Sequence, residues 1–231
     1  MCGRYSASSS PEQVAAHFSV TDVAVSDYRP RYNVAPSVKV LSIVEDEESR
    51  RLGLLRWGFV PKWAKQIGGK GQPINARIET VVDSRMFAAS FARKRCIIPA
   101  DGFFEWQDRG KSRPKQPYYI ADPNSEPLAF GAIWTSWRDP ATPENDPTFS
   151  MAIITTAARG AMTQIHDRMP LMLPATLWSD WLTADTDDAP HLVEAVTALG
   201  PPTLRATAVT SLVNSVRNDG PELITPGSVD D

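Results

Sequence analysis

Short strand-like runs separated by turn residues recur along the whole chain and constrain its fold more than any other feature. Residues 38–44, 52–59, 74–79, 96–98, 118–120, 128–134, 149–155 and 207–210 are rich in β-branched, aliphatic and aromatic side chains and are bounded by turn-forming residues. Residues 45–51 and 108–110 read as turns, 28–36 as a proline-bounded loop, 138–147 as an exposed proline-rich loop and 214–218 as a polar loop. Helices are few. Ser10 is placed as an N-cap, with Pro11 at the first helical position and Gln13 closing a capping box, so Val14 and Phe18 share an apolar face with His17 on its flank. The pattern predicts a second helix over 84–93, with Phe87 and Phe91 stacked and Arg93, Lys94 and Arg95 at its end. A third follows Pro174, with Leu177, Trp178, Trp181 and Leu182 as its apolar face; a fourth opens at Pro190 and closes at Gly200 and Pro201. Many short strands with a few helices between them predict a single α+β domain over residues 1–226, with a frayed tail at 227–231. Its expected core is a curved, barrel-like, mostly antiparallel sheet flanked by helices.

Composition removes several classes of function. Two cysteines in 231 residues make no disulfide framework and favour a reducing, cytoplasmic compartment. Nothing resembles a signal peptide, and no apolar stretch reaches the length of a membrane span, so no membrane partner is expected. Paired metal-ligand spacings, G-x-G-x-x-G, a P-loop and G-x-S-x-G are all missing, so neither a metal nor a cofactor is expected. The net charge is −3, so nucleic acid would need a local arginine-lined groove.

The chemistry on offer begins at Met1-Cys2-Gly3-Arg4-Tyr5. Once Met1 is removed, Cys2 carries an α-amine and a thiol on adjacent carbons, a pair no internal cysteine has. With an aldehyde the amine forms an imine, and the thiol then closes on the imine carbon to give a five-membered thiazolidine. The unperturbed amine pKa is about 7.7–8.0 and the thiol pKa about 8.5, and nearby Arg4 would favour the thiolate. In residues 74–79, period two puts Ile74, Ala76 and Ile78 on one face and Asn75, Arg77 and Glu79 on the other. Glu105 stands among aromatic residues, where desolvation would raise its pKa and make it a proton donor. His166 is flanked by both signs of charge in Ile165-His166-Asp167-Arg168-Met169-Pro170. Each feature alone has an ordinary explanation. Cys2 and Cys96 suit core packing, the 75–79 face suits a solvated sheet, Glu105 suits a strand carboxylate reaching water, and His166 suits a packed polar residue.

Six motifs in order carry a resemblance: Met-Cys-Gly-Arg-Tyr at the start, Arg31-Tyr32-Asn33-Val34-Ala35-Pro36, Trp57-Gly58-Phe59, Ile74-Asn75-Ala76-Arg77-Ile78-Glu79-Thr80, residues 100–106, and residues 165–170. Together they resemble the SOS-response-associated peptidase (SRAP) family of abasic-site-processing proteins, over residues 1 to about 226. The resemblance implies a protein, monomeric by default and nucleoid-associated if bacterial, that captures abasic sites in single-stranded DNA as a thiazolidine crosslink and shields the lesion. It implies Cys2 as nucleophile, Asn75 as holder of the opened sugar, Glu105 as proton shuttle and His166 as the acid that opens the sugar ring. Arg4, Arg77 and Arg168 are expected at phosphates, Trp63 and Trp106 at bases or as a wedge, with Pro36 beside that wedge and Asn33 lining the pocket. A retained Met1 would acylate the Cys2 amine and prevent the chemistry, so Met1 must be removed. The family name records a proposed peptidase activity suited to autocatalytic removal, but the sequence carries no separate protease constellation, which favours general aminopeptidase processing. Two other readings remain: a non-covalent single-strand nucleic-acid binder in which Cys2 is incidental, and an N-terminal-cysteine glutamine amidotransferase, which shares only the Met-Cys-Gly start.

Overall fold

The computed structural model describes residues 2–69, 71–184 and 188–229. In chain order its strands are Tyr5–Ala7 (β1), Asp22–Val23 (β2), Arg31–Val34 (β3), Lys39–Glu45 (β4), Arg50–Trp57 (β5), Asn75–Arg77 (β6), Arg95–Ala100 (β7), Gly102–Gln107 (β8), Gln116–Ala121 (β9), Leu128–Trp137 (β10), Thr148–Ala157 (β11), Arg168–Pro170 (β12) and Arg205–Ala208 (β13). The α-helices are Pro11–His17 (α1), Ala88–Arg93 (α2), Trp178–Thr183 (α3) and Ala189–Leu199 (α4).

Five strands close on themselves in the order β5, β4, β7, β10, β11. The joins within this ring are antiparallel except the last, where Arg56 and Trp57 of β5 run parallel to Ser150 and Met151 of β11. The core is therefore a closed, mixed five-stranded barrel, with extra strands and short helices around it. Beyond the β5 contact, β11 takes β6 as a parallel neighbour, Ile153 opposite Asn75. A second sheet, β13-β9-β8-β1-β3, is antiparallel throughout.

Apolar side chains from the barrel strands fall into two clusters. One joins Leu41, Ile43, Leu52, Ile97 and Ile154 to helix residues Val14, Phe18, Phe91, Trp181 and Leu192. The other joins Trp57, Ile98, Phe130, Met151 and Ile153 to Cys2, Tyr5, Phe103 and Ile120 of the amino terminus and second sheet. Trp181 is fully buried and donates its indole N–H to Cys96 O at 2.9 Å, so truncating it to alanine should cost about 3–5 kcal/mol. Arg95, 3% exposed, donates to the α2 carbonyls of Phe91 and Ala92 and to those of Trp181 and Ala184, so the basic residue expected to favour the helix end caps it directly.

The capping box at α1 forms as expected: Gln13 N–H donates to Ser10 Oγ at 3.3 Å, and Ser10 N–H to Gln13 Oε1 at 2.8 Å. Gly200 ends α4 with φ +72, a conformation glycine adopts without strain. Other expectations need correction. Residues 31–34 are a strand, because Pro30 and Pro36 lie outside the stretch that pairs with β1, Tyr5 opposite Val34. The second helix starts at Ala88, since residues 84–87 form a turn around Ser84 O. The helix after Pro174 begins as a 3-10 turn over Ala175–Leu177. The strand expected at 207–210 runs instead over Arg205–Ala208, in register with β9. Past Pro226, where a frayed tail is expected, residues 227–229 make hydrogen bonds to the second sheet. Gly227 N–H donates to Ala208 O, and the Val229 N–H and Ser228 hydroxyl to Gln116 Oε1. Residues 230–231 lie outside the described residues.

Candidate functional site

Cys2 is fully buried against the second core cluster. Its carbonyl accepts a 2.9 Å hydrogen bond from Asn75 Nδ2, tying the amino terminus to β6. Asn75 sits there because β6 alternates: Ala76 is buried and Asn75 and Arg77 face the other way. The second polar atom of the amide, Oδ1, is buried and has no hydrogen-bond partner. A buried acceptor left open in this way costs free energy and is ready for a donor from outside the chain.

Glu105 comes from β8, where alternation turns Phe104 and Trp106 to one side of the sheet and Phe103 and Glu105 to the Cys2 side. It is 2% exposed, and burial raises its carboxyl pKa above the usual range against the opposing charge of His166. Burial likewise pushes the Cys2 thiol well above its ordinary value, and the charge of Glu105 adds to the shift. This corrects the expectation that Arg4 favours a thiolate. The Cys2 Sγ faces the Arg4 carbonyl at 4.0 Å, and the Arg4 guanidinium points elsewhere.

His166 is partly buried just before β12. Its Nδ1 lies 2.9 Å from the Arg168 backbone N–H and 2.8 Å from Asp167 Oδ1, and a single nitrogen cannot both accept from the first and donate to the second. The Arg168 N–H suits an Nδ1 without a proton, and the Asp167 carboxylate suits one that carries it; Nε2 can hold a proton in both cases.

The residues expected to hold DNA divide. Arg77 is exposed beside Asn75. Arg168 forms a bidentate fork with Glu79 at 2.6 and 2.9 Å and also donates to Thr155 O at 2.7 Å, while its buried Nε has no partner. That hydrogen bond holds the Glu79 carboxyl below its usual pKa range. Trp63 is 68% exposed on the turn after Pro61. Pro36 lies in the turn where Ser37 N–H meets Trp57 O at 2.8 Å. Arg4, Asn33 and Trp106 instead bond to segment 213–218. Arg4 donates to Asn33 Oδ1 and Val213 O, Asn33 Nδ2 donates to Val213 O, Ser215 O and Asn218 O, and the Trp106 indole donates to Asn214 Oδ1. These three form a latch on segment 213–218, completed by Asp219, which accepts the N–H groups of Tyr32 and Asn33. Sequence reasoning missed Asn214, Asp219 and the Glu79–Arg168 fork, because no local pattern announces a partner 89 or more positions away.

Among the described residues no group of three or more His, Cys, Asp or Glu side chains could hold a metal, and no helix is long and apolar enough to cross a membrane. A cavity of about 700 Å³ lined by Tyr32, Asp101, Tyr119 and Arg205 includes none of Cys2, Asn75, Glu105 and His166. The Asn75–Cys2 hydrogen bond and the electrostatic coupling of Glu105 to Cys2 bring these residues together as the candidate site.

The family described as SOS response associated peptidase (SRAP) matches residues 1–216. The abasic site processing protein YoqW of Bacillus subtilis is 39% identical over 227 residues, covering 97% of this chain and 99% of its own. The abasic site processing protein YedK of Escherichia coli is 34% identical, covering 98% and 100%. The abasic site processing protein HMCES of Pongo abelii is 30% identical, covering 86% of this chain and 66% of its own. A solved structure from Bacteroides thetaiotaomicron superposes with a TM-score of 0.82 at 22% identity, covering 98% of this chain and all of that one, which shows the shared fold.

Proposed function

The chain belongs to the SRAP family, and from that premise we propose that it processes abasic sites in DNA by covalent capture through Cys2. The observation that carries the reading is one buried cysteine, held by Asn75 within the electrostatic reach of Glu105, that becomes an aminothiol once Met1 is removed. After Met1 is removed, the Cys2 amine adds to the C1′ aldehyde of the ring-opened sugar. The resulting carbinolamine loses hydroxide as water once protonated, and the imine remains. The thiol sulfur then bonds to the imine carbon, its proton passes to a base and the imine nitrogen gains one, closing the thiazolidine. One water is released overall, and no oxidant or reductant is needed.

The side chains supply the proton traffic. Glu105, held protonated more readily than an ordinary carboxyl, donates to the departing hydroxyl and as carboxylate takes the proton of the high-pKa thiol. His166 Nε2–H donates to the sugar ring oxygen and releases the aldehyde. The open Asn75 Oδ1 accepts from a hydroxyl of the opened sugar. Exposed Arg77 and Trp63 offer phosphate and base contacts for a single strand. Cys2 and Cys96 are both free thiols, which fits a monomer working in a reducing cytoplasm.

The test is a denaturing gel after incubation with an abasic single strand. A shifted band that persists, and that is lost in Cys2→Ala and in Cys2→Ser, supports capture by the aminothiol. A shift that high salt abolishes and denaturation removes points to non-covalent binding instead.

A further inference from the structure

Beyond the candidate site, a basic and aromatic patch lies at the start of β11 and the end of β10. Lys94 holds its ammonium 4.7 Å from the centre of the Trp134 ring, and Trp134 meets Phe149 edge-on with centroids 5.9 Å apart. Phe149 is 44% exposed, an unusual position for a phenylalanine at a strand start. Lys62, next to Trp63, is exposed and close enough for its charge to act on Lys94. Its turn is fixed to the barrel: Val60 N–H donates to Ser150 Oγ at 2.9 Å, and the Trp137 indole donates to Ala64 O at 2.7 Å. Neither lysine forms an ion pair with a described residue. The acids of the neighbouring 138–147 loop, Asp139, Glu144 and Asp146, are absent from the charges acting on Lys94. Two like charges within electrostatic reach of each other and without a paired carboxylate favour an anion, and the adjacent rings suit a planar base.

Phe149 precedes Ile153, the partner of Asn75, by four residues, about 13 Å along the strand. That spacing is within reach of a few nucleotides of a strand held at Asn75. We propose that Lys62, Lys94, Trp134 and Phe149 form a second nucleic-acid contact, which takes phosphates and a stacked base of the strand flanking the captured site. The assignment rests on reading the candidate site as a DNA site, and its test separates the two.

The probes are a long undamaged single strand, measured by fluorescence anisotropy over a range of salt, and an abasic trinucleotide too short to reach the patch. For the doubly substituted Lys62→Glu, Lys94→Glu protein, affinity for the long strand should fall and the salt slope should drop by about 1.4. The Lys62→Arg, Lys94→Arg protein should keep both. Phe149→Ala should weaken long-strand binding about tenfold. Crosslinking of the trinucleotide should match wild type in all three proteins. Unchanged affinity and slope on the long strand overturn the patch, as does an equal loss on the trinucleotide, which would place the defect in the candidate site or the fold. A wild-type protein that binds strands but never crosslinks overturns the capture reading, while the anisotropy arm still decides the patch.

Discussion

Two asparagines, Asn33 buried and Asn75 half-buried, show how one side chain serves opposite ends in this molecule. Asn33 has every polar atom engaged: Oδ1 accepts from Arg4, and Nδ2 reaches three carbonyls of segment 213–218. Asn75 has one bond, to Cys2 O, and an unpartnered buried acceptor. A saturated amide has nothing left to offer a ligand and stabilises the fold. An unsaturated one weakens the fold and keeps a valence for substrate. The same contrast separates Arg4, caged by the latch, from exposed Arg77. Motif membership does not distinguish these pairs; unsatisfied hydrogen-bonding capacity does.

The comparison can be broken most forcefully at Cys2. Cys2→Ala should abolish the covalent adduct on a denaturing gel while leaving circular dichroism unchanged, since a small buried residue replaces another.

Glu105→Gln comes next, and its two effects should have opposite signs. The amide cannot shuttle a proton, so single-turnover crosslinking should slow by about 10²–10⁴-fold. Stability should move the other way. A carboxyl whose folded pKa is raised binds its proton more tightly when folded, so its stabilising contribution is complete below the unfolded value and is lost as pH rises through the folded one. Above the folded value the buried charge therefore costs stability, and there thermal melting of Glu105→Gln should occur above wild type. For wild type, the dependence on the protonated acid predicts that crosslinking slows as pH climbs through that raised value.

The asparagines then give the sharpest pair. Asn75→Ala should slow crosslinking by about 10²-fold and lower stability by about 1 kcal/mol in urea titration. Asn33→Ala should leave the crosslinking rate of folded protein near wild type yet cost about 3 kcal/mol, because several buried groups lose their partners together. Equal profiles for the two would erase the distinction. The smallest effect belongs to Trp63→Ala, expected to weaken single-strand binding about fivefold by anisotropy with no change in melting temperature.

Local rules made much of the fold readable. The Ser10–Gln13 capping box and the Gly200 helix end follow from contacts a few residues long and form as expected, while the strand expected over 74–79 keeps its alternation but is confined to Asn75–Arg77. The parallel closure of β5 on β11 does not, because its partners, Arg56 and Ser150, are far apart in sequence and parallel pairing leaves no hairpin signal. Strand 31–34 was hidden by the prolines on either side. At the candidate site, Cys2, Asn75, Glu105 and His166 were readable as candidates from their residue types and motifs. The direction of the Arg4 side chain was not, since it is set by carbonyls more than 200 positions away.

The central claim is that one aminothiol residue, freed of Met1, condenses with a sugar aldehyde. Intact-mass measurement of the denatured adduct with an abasic single strand tests it directly. The predicted mass is that of the chain beginning at Cys2 plus the strand, less one water, with no such adduct from Cys2→Ser, which keeps the amine and lacks the sulfur. A stable adduct that still carries Met1, or its undiminished formation by Cys2→Ser, would contradict the account.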